Sequence, residues 1–345
     1  MKTTLGSISS GLVILSLTAC GGGNNKEPAS TEIGPNDSAL STKITANNAM
    51  LVAANVSSVN ASLFDTGMLV GSHVPRSLSA ASPSTGLLSV VRSQVLVAVQ
   101  GFEGSVVAQS RAAVLGGVNT VCEGGGTLSI NFSDQNSNST FDVGETLALV
   151  AVNCVPATAD VTMLNGTMNI TSTSITGDPT LENSNYSVGA TVTMSTFSIR
   201  DGAGTVSHNG QMVFLLTHTP TTETTTVDIP SFTVNDNGIP NVLTHFKLTA
   251  TDNLATNQYT TTLSGVVGKS FDSLFGTFRV STPIALQGVG DGDPTAGALK
   301  IEGDGSSSVT VVPQSDGQLR LDVDSNGDGV TDAAINTTWA ALDAA

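Results

Sequence analysis

Residues 189–199 read Gly-Ala-Thr-Val-Thr-Met-Ser-Thr-Phe-Ser-Ile. Apolar and hydroxyl side chains alternate through most of this stretch, and a period of two puts them on opposite faces of an extended strand. Thr127-Leu128-Ser129-Ile130-Asn131-Phe132 alternates strictly. Residues 210–217, 225–234, 242–250 and 259–267 follow the rule more loosely, and Val161-Thr162-Met163 and Met168-Asn169-Ile170 are shorter pieces of it. Asn165-Gly166, Asp201-Gly202, Asn237-Gly238 and Asp252-Asn253 stand between these stretches as turn signals. The rhythm predicts a mainly β fold of roughly twelve consecutive antiparallel strands, arranged as a sandwich or a curved half-barrel.

Upstream the pattern changes. Ile44, Ala49, Met50, Val52, Ala53, Val56, Val59 and Leu63 recur at near-helical spacing. Pro75 and Ser79-Ala80-Ala81-Ser82-Pro83 break it. A second helix-like stretch runs from Gly86 to about Leu115, apolar on more than one face and interrupted by Gly101 and Gly104. Such a segment is expected to be buried, as a helix under the sheet or, given its valines, as a strand pair. The expected organisation is a helical N-terminal segment over 41–118, with one or two helices packed on a β domain over 119–345. Residues 20–40 carry no periodicity and read as a linker.

The first nineteen residues have the parts of an export signal: Lys2, then the apolar run Gly11-Leu12-Val13-Ile14-Leu15-Ser16-Leu17, too short for a bilayer span of about 20 residues. Leu17-Thr18-Ala19-Cys20 follows. This resembles the lipobox of bacterial lipoproteins, with a branched apolar residue, two small residues and the cysteine. The resemblance implies cleavage before Cys20 and acylation of Cys20, and several acyl chains together anchor firmly. Gly21-Gly22-Gly23-Asn24-Asn25 would be the flexible tether. In that family an Asp after the cysteine favours the inner membrane, so Gly21 points to the outer membrane. A spanning barrel also has strands of about ten alternating residues. The anchor, the two Tyr and one Trp available for interfacial girdles, and the Thr and Ser at outward positions speak against one.

Removal of residues 1–19, which hold Lys2 and no acid, leaves 11 basic and 28 acidic side chains, a net charge of −17. That charge argues against nucleic acid and against anionic headgroups, and is compatible with divalent cations. Charged residues are nevertheless only 12% of the chain and aromatics 4%. The composition is that of an exported β-protein whose core relies on Val, Leu, Ile and Met. With Cys20 taken by lipid, Cys122 and Cys154 remain, and in an oxidising envelope they are expected to pair; free thiols or half a metal site are the alternatives.

Two acidic stretches carry metal-ligand spacing. Asp134-Gln-Asn136-Ser-Asn138-Ser-Thr140-Phe-Asp142-Val-Gly-Glu145 places side-chain oxygens at positions 1, 3, 5, 9 and 12 of a twelve-residue loop. Calcium takes six to eight such hard oxygens. The spacing resembles an EF-hand-type loop, with Ser139 in the place of the usual Gly, and strands rather than helices on either side. Asp322-Val-Asp324-Ser-Asn326-Gly-Asp328-Gly-Val-Thr-Asp332 is similar to dockerin-type and thrombospondin-type calcium loops, although Asp332 falls one residue early and Ile335 stands where an acid would close the site. These resemblances imply Asp134, Asn136, Asn138, Asp142, Glu145, Asp324, Asn326, Asp328 and Asp332 as calcium ligands. The alternative is a pair of polar turns built from residues that tolerate left-handed backbone.

No metalloprotease, serine-hydrolase or phosphate-loop motif is present. His218 and His245 lie in strand-like segments and could meet across a sheet, and Trp339 is expected to anchor the last segment to the core. The expected function is a non-enzymatic, membrane-anchored envelope module, structural or binding, with calcium as a stabilising ion. A carrier of lipid or another apolar ligand is the alternative, and a hydrolase of envelope polymers a further one.

Overall fold

Among the described residues, fourteen strands form one sheet: β1 (Val118–Val121), β2 (Thr127–Ser133), β3 (Thr146–Cys154), β4 (Met163–Gly177), β5 (Tyr186–Arg200), β6 (Thr205–His218), β7 (Thr222–Asp236), β8 (Ile239–Asn253), β9 (Gln258–Ser270), β10 (Phe275–Val289), β11 (Ala296–Glu302), β12 (Ser308–Pro313), β13 (Gln318–Asp324) and β14 (Ala333–Thr338). Every strand is antiparallel to its sequence neighbours, in the order β1 to β14. The computed structural model describes residues 40–64, 91, 118–136, 141–155, 163–179, 184–200, 204–270, 275–290 and 292–343. The signal over 1–19, nearly all of the linker, Asn138, Asp201-Gly202 and most of the second helix-like stretch lie outside the described residues. Of that stretch Val91 is described, helical and buried.

The seven strands β4 to β10 run 13 to 15 residues. At about 3.3 Å per residue that is roughly 43–50 Å, well beyond the usual strand. Two of the expected turns differ in kind. Asn237 (φ 50°) and Gly238 (φ 90°) form the two-residue turn between β7 and β8, both with the positive φ a type I′ hairpin needs. Asn165-Gly166 is not a turn. It lies inside β4, where Gly166 faces a bulge in β5 around Thr196 (φ 48°).

Further bulges interrupt β8 at His245 (φ 47°) and β10 between Ser281 and Leu286. Each adds residues to one strand only and so bends the sheet. Opposite the β8 bulge, Gly265 (φ +151°) lies so close that a Cβ would sit 2.6 Å from Phe246 Cα. The absent side chain makes room for the Phe246 ring. Phe214, Phe232, Phe246 and Phe278 are among the largest fully buried side chains.

Laid flat, fourteen strands about 4.8 Å apart would span roughly 60 Å. The buried residues from Ile130 on β2 to Val323 on β13 nevertheless belong to one hydrophobic cluster. That cluster includes helix α1 (Ala49–Phe64), which touches β9, β12 and β13 and is only about 24 Å long. One antiparallel sheet with one face in a single apolar cluster is the arrangement, not a sandwich of two sheets. Ala49, Val52, Ala53 and Val56, the i, i+3, i+4, i+7 stripe of α1, are all fully buried. Before the helix, Ser41 N–H donates to Thr277 O (3.3 Å) and Ile44 N–H to Ser307 Oγ (2.8 Å), lacing the segment to β10 and the β11–β12 turn. Helix α2 (Trp339–Asp343) packs on α1; Trp339 is 2% exposed and donates from Nε1 to Pro294 O (3.3 Å). Among the described residues no helix is long and apolar enough to cross a membrane.

Candidate functional site

The two acidic loops lie at opposite ends of the strands. The first connects β2 to β3, so the hairpin expected from its flanks is present. Glu145 is 1% exposed, and its Oε1 and Oε2 accept the backbone N–H groups of Gln135 (2.9 Å) and Asp142 (2.8 Å). Asn136 Nδ2 donates to Asp142 Oδ2 (2.7 Å). At the other end of the hairpin, Cys122 and Cys154 form a disulfide with Cα atoms 5.3 Å apart.

The second loop joins β13 to β14 and closes on its own acids. Asp324 accepts Gly327 N–H at Oδ1 (2.7 Å) and Gly329 N–H at Oδ2 (2.8 Å), while Asp328 Oδ1 accepts Val330 N–H (2.8 Å). Asp332 Oδ2 accepts both the amide (2.8 Å) and the hydroxyl (2.7 Å) of Ser325, and its Oδ1 takes Asn326 Nδ2 (3.3 Å). The Ser325 hydroxyl, then its amide, holds the Asp332 carboxyl below the usual carboxylate range. These are the Asx-type contacts that shape a polar turn; Asp332 Oδ2 already accepts two bonds, while the other carboxylate oxygens of Asp324, Asp328 and Asp332 keep a further lone pair. Asp324, Asn326 and Asp332 are thus brought together, with Asp328 bonded into the adjacent turn. Among the described residues no three His, Cys, Asp or Glu side chains converge as a metal cluster.

His218 and His245 do not meet. His218 ends β6 in register with Glu223, which faces Asp252 on β8, whereas His245 sits in the β8 bulge seven residues earlier, roughly 23 Å along the strand. What joins His218 is a row that crosses five strands on the buried face: Tyr186, His218, Glu223, Asp252 and Tyr259. Tyr186 stacks on His218 with ring centroids 4.8 Å apart, and His218 Nδ1 lies 3.4 Å from Glu223 Oε2. Tyr259 donates to Gly292 O (2.9 Å); burial, then the charge of Asp293, pushes its hydroxyl pKa up. Behind the row, Thr225 Oγ1 and Thr261 Oγ1 are buried without a hydrogen-bond partner. Glu223, Asp252 and Tyr259 are all sealed from solvent. Short connections held the clue to the row: four residues separate His218 from Glu223 and six separate Asp252 from Tyr259.

The solvent face is the opposite of the buried one. One row crosses thirteen strands as Ser133, Thr146, Thr171, Thr191, Val213, Asp228, Lys247, Ser264, Ser281, Lys300, Thr310, Asp322 and Ala334. Nearer one end, Thr176, Ser187, Thr217, Thr224, Thr251, Thr260 and Gln287 make a second row. Hydroxyls pair across strands, Thr146 with Thr171 (3.2 Å) and Thr224 with Thr251 (3.1 Å). This face carries a shallow groove of about 300 Å³ lined by Lys247, Thr249, Thr262, Ser264, Ser281 and Thr282, with Leu263 and Pro283.

No family model, curated protein or solved structure matches the chain.

Proposed function

We propose that this chain is a lipid-anchored envelope protein without enzymatic activity, whose sheet presents its outer face as a binding surface. The observation that carries this reading is the pair of uninterrupted outer rows. A face this wide, bearing mostly hydroxyl side chains with scattered charges, suits recognition of a polar, extended partner on the outside of the fold. Cys20 is the proposed acylation site and the outer membrane the proposed location. Calcium enters as a stabiliser of the two acidic turns. The free lone pairs of Asp324, Asp328 and Asp332, gathered in one short loop, support that role.

Expression of the full chain beside Cys20→Ser tests the anchor. The parent should take up labelled palmitate and sediment with outer membranes, and Cys20→Ser should do neither. Equal partitioning of the two would overturn the lipid anchor. For the outer face, the detergent-solubilised full chain is mixed with purified envelope glycans. Retention should fall when Thr224 and Thr251 are both changed to Lys; retention that ignores this pair would refute recognition by the rows.

A further inference from the structure

We infer that the groove across β8, β9 and β10 is a binding site for a sugar unit bearing a single negative group. The inference rests on reading the outer face as the recognition surface, and adds where on that face the ligand sits and what chemistry it has.

The groove is built rather than incidental. Pairing between β9 and β10 lapses between Ser281 and Leu286, and Pro283, lacking an N–H, cannot donate to a ladder there. Thr282 takes over the missing contact. Its Oγ1 accepts Leu263 N–H (3.0 Å) and donates to Leu263 O (3.4 Å), so the Leu263 amide and carbonyl keep a partner where the strands part. Pro283 on the rim and neighbouring Ile284, 63% exposed, add apolar surface.

The polar lining is uncommitted. Lys247, Ser264 and Ser281 stand in one register row on three adjacent strands, roughly 10 Å from first to last. Thr249 and Thr262 stand opposite each other in the next outward-facing row. Ser264, Ser281 and Thr262 make no side-chain hydrogen bond among the described residues, and neither does Lys247. By contrast Lys300 and Arg279 are held by Glu302, and Arg320 by Asp322. Hydroxyls in a line, a free ammonium at one end and an apolar rim match the hydroxyls, anionic group and C–H face of an acidic sugar. The strongly acidic chain would repel a polyanion, so a mostly neutral glycan with isolated anionic units fits best.

The test uses the full chain in detergent, titrated calorimetrically with a disaccharide holding one uronic acid, its uncharged counterpart, and inorganic phosphate. The acidic disaccharide should bind about tenfold or more tightly than the uncharged one, the size of a charge-assisted hydrogen bond. Lys247→Gln should remove that preference while leaving the neutral sugar unaffected, and Ser264→Val should weaken both sugars. Near-UV circular dichroism confirms that each variant keeps the parent fold. Unchanged affinity for the acidic disaccharide in folded Lys247→Gln would overturn the inference. Phosphate that binds as tightly and displaces the sugar would also overturn it, in favour of a simple anion site. If no disaccharide binds while envelope glycan is still retained through Thr224 and Thr251, the groove assignment fails and the outer-face reading stands. Loss of both would sink the two together.

Discussion

Replacing His208 by leucine should flatten the acid limb of the stability curve. The His208 ring is 2% exposed, its Nδ1 donates to Phe197 O (3.3 Å), and its Nε2 is buried without a partner. Burial pushes its pKa from 6.5 to about 4, against a smaller opposing pull from the Phe197 carbonyl. The folded pKa lies below the unfolded one, so the unfolded chain binds more protons in between. The neutral ring's contribution is therefore intact above about pH 6.5 and is lost as pH falls through 6.5 towards 4. Linkage over the interval from about pH 7.5 to about pH 4.5 gives roughly 2–3 kcal/mol lost by the parent. Leucine removes the titration and strands the Phe197 carbonyl, a constant cost of about 1 kcal/mol at every pH. Urea unfolding followed by the fluorescence of Trp339, buried and the only tryptophan, reads both curves. Carboxylates titrating in the same range cancel in the difference between the two proteins. The gap between them should narrow and reverse as pH falls. Parallel curves would refute the neutral buried imidazole.

Three further perturbations have defined outcomes. Cys122→Ala with Cys154→Ala opens a link between residues 32 apart; chain entropy gives a loss of about 3–4 kcal/mol, measured as a lower urea midpoint. Tertiary structure should survive, because the two cysteines form a small cluster apart from the main core. Gly265→Ala puts a methyl group against Phe246 on backbone held at φ +151°, and thermal unfolding should report a loss of at least about 2 kcal/mol; a neutral result would show that the bulge relaxes freely. Calcium titration should release or absorb heat and raise the melting temperature, less so in Asp142→Ala and Asp328→Ala. No heat and no response to EDTA would retire the calcium proposal.

The fold was legible in residues 189–199 because one face of β5 meets the core and the other meets water. Its length was not. At Ser195 and Thr196 the bulge puts two exposed residues in succession, so the alternation changes phase and a 15-residue strand reads as a shorter one. Asn165-Gly166 misled for the same reason: a left-handed glycine marks a bulge partner as well as a turn. The acidic loops were visible as composition, but which carboxylate accepts which amide depends on backbone geometry that spacing does not specify. The groove was hidden altogether. It needs Lys247, Ser264 and Ser281 to share a row, and that register follows from two bulges whose positions the sequence marks only by Pro283 and Gly265.

The strand order bears on how the chain reaches this state. Each strand pairs only with the ones before and after it, so hairpins can zip in succession as the polypeptide emerges, without long-range loop closure. Helix α1 is the exception. It precedes the sheet in sequence yet packs against β12, β13 and α2, which end at Asp343. Its apolar stripe has no complete seat until Trp339–Asp343 has been made. Assembly should therefore proceed as a growing ribbon with a waiting helix, and shortening the chain by its final ten residues should leave the ribbon zipped but the helix unhoused.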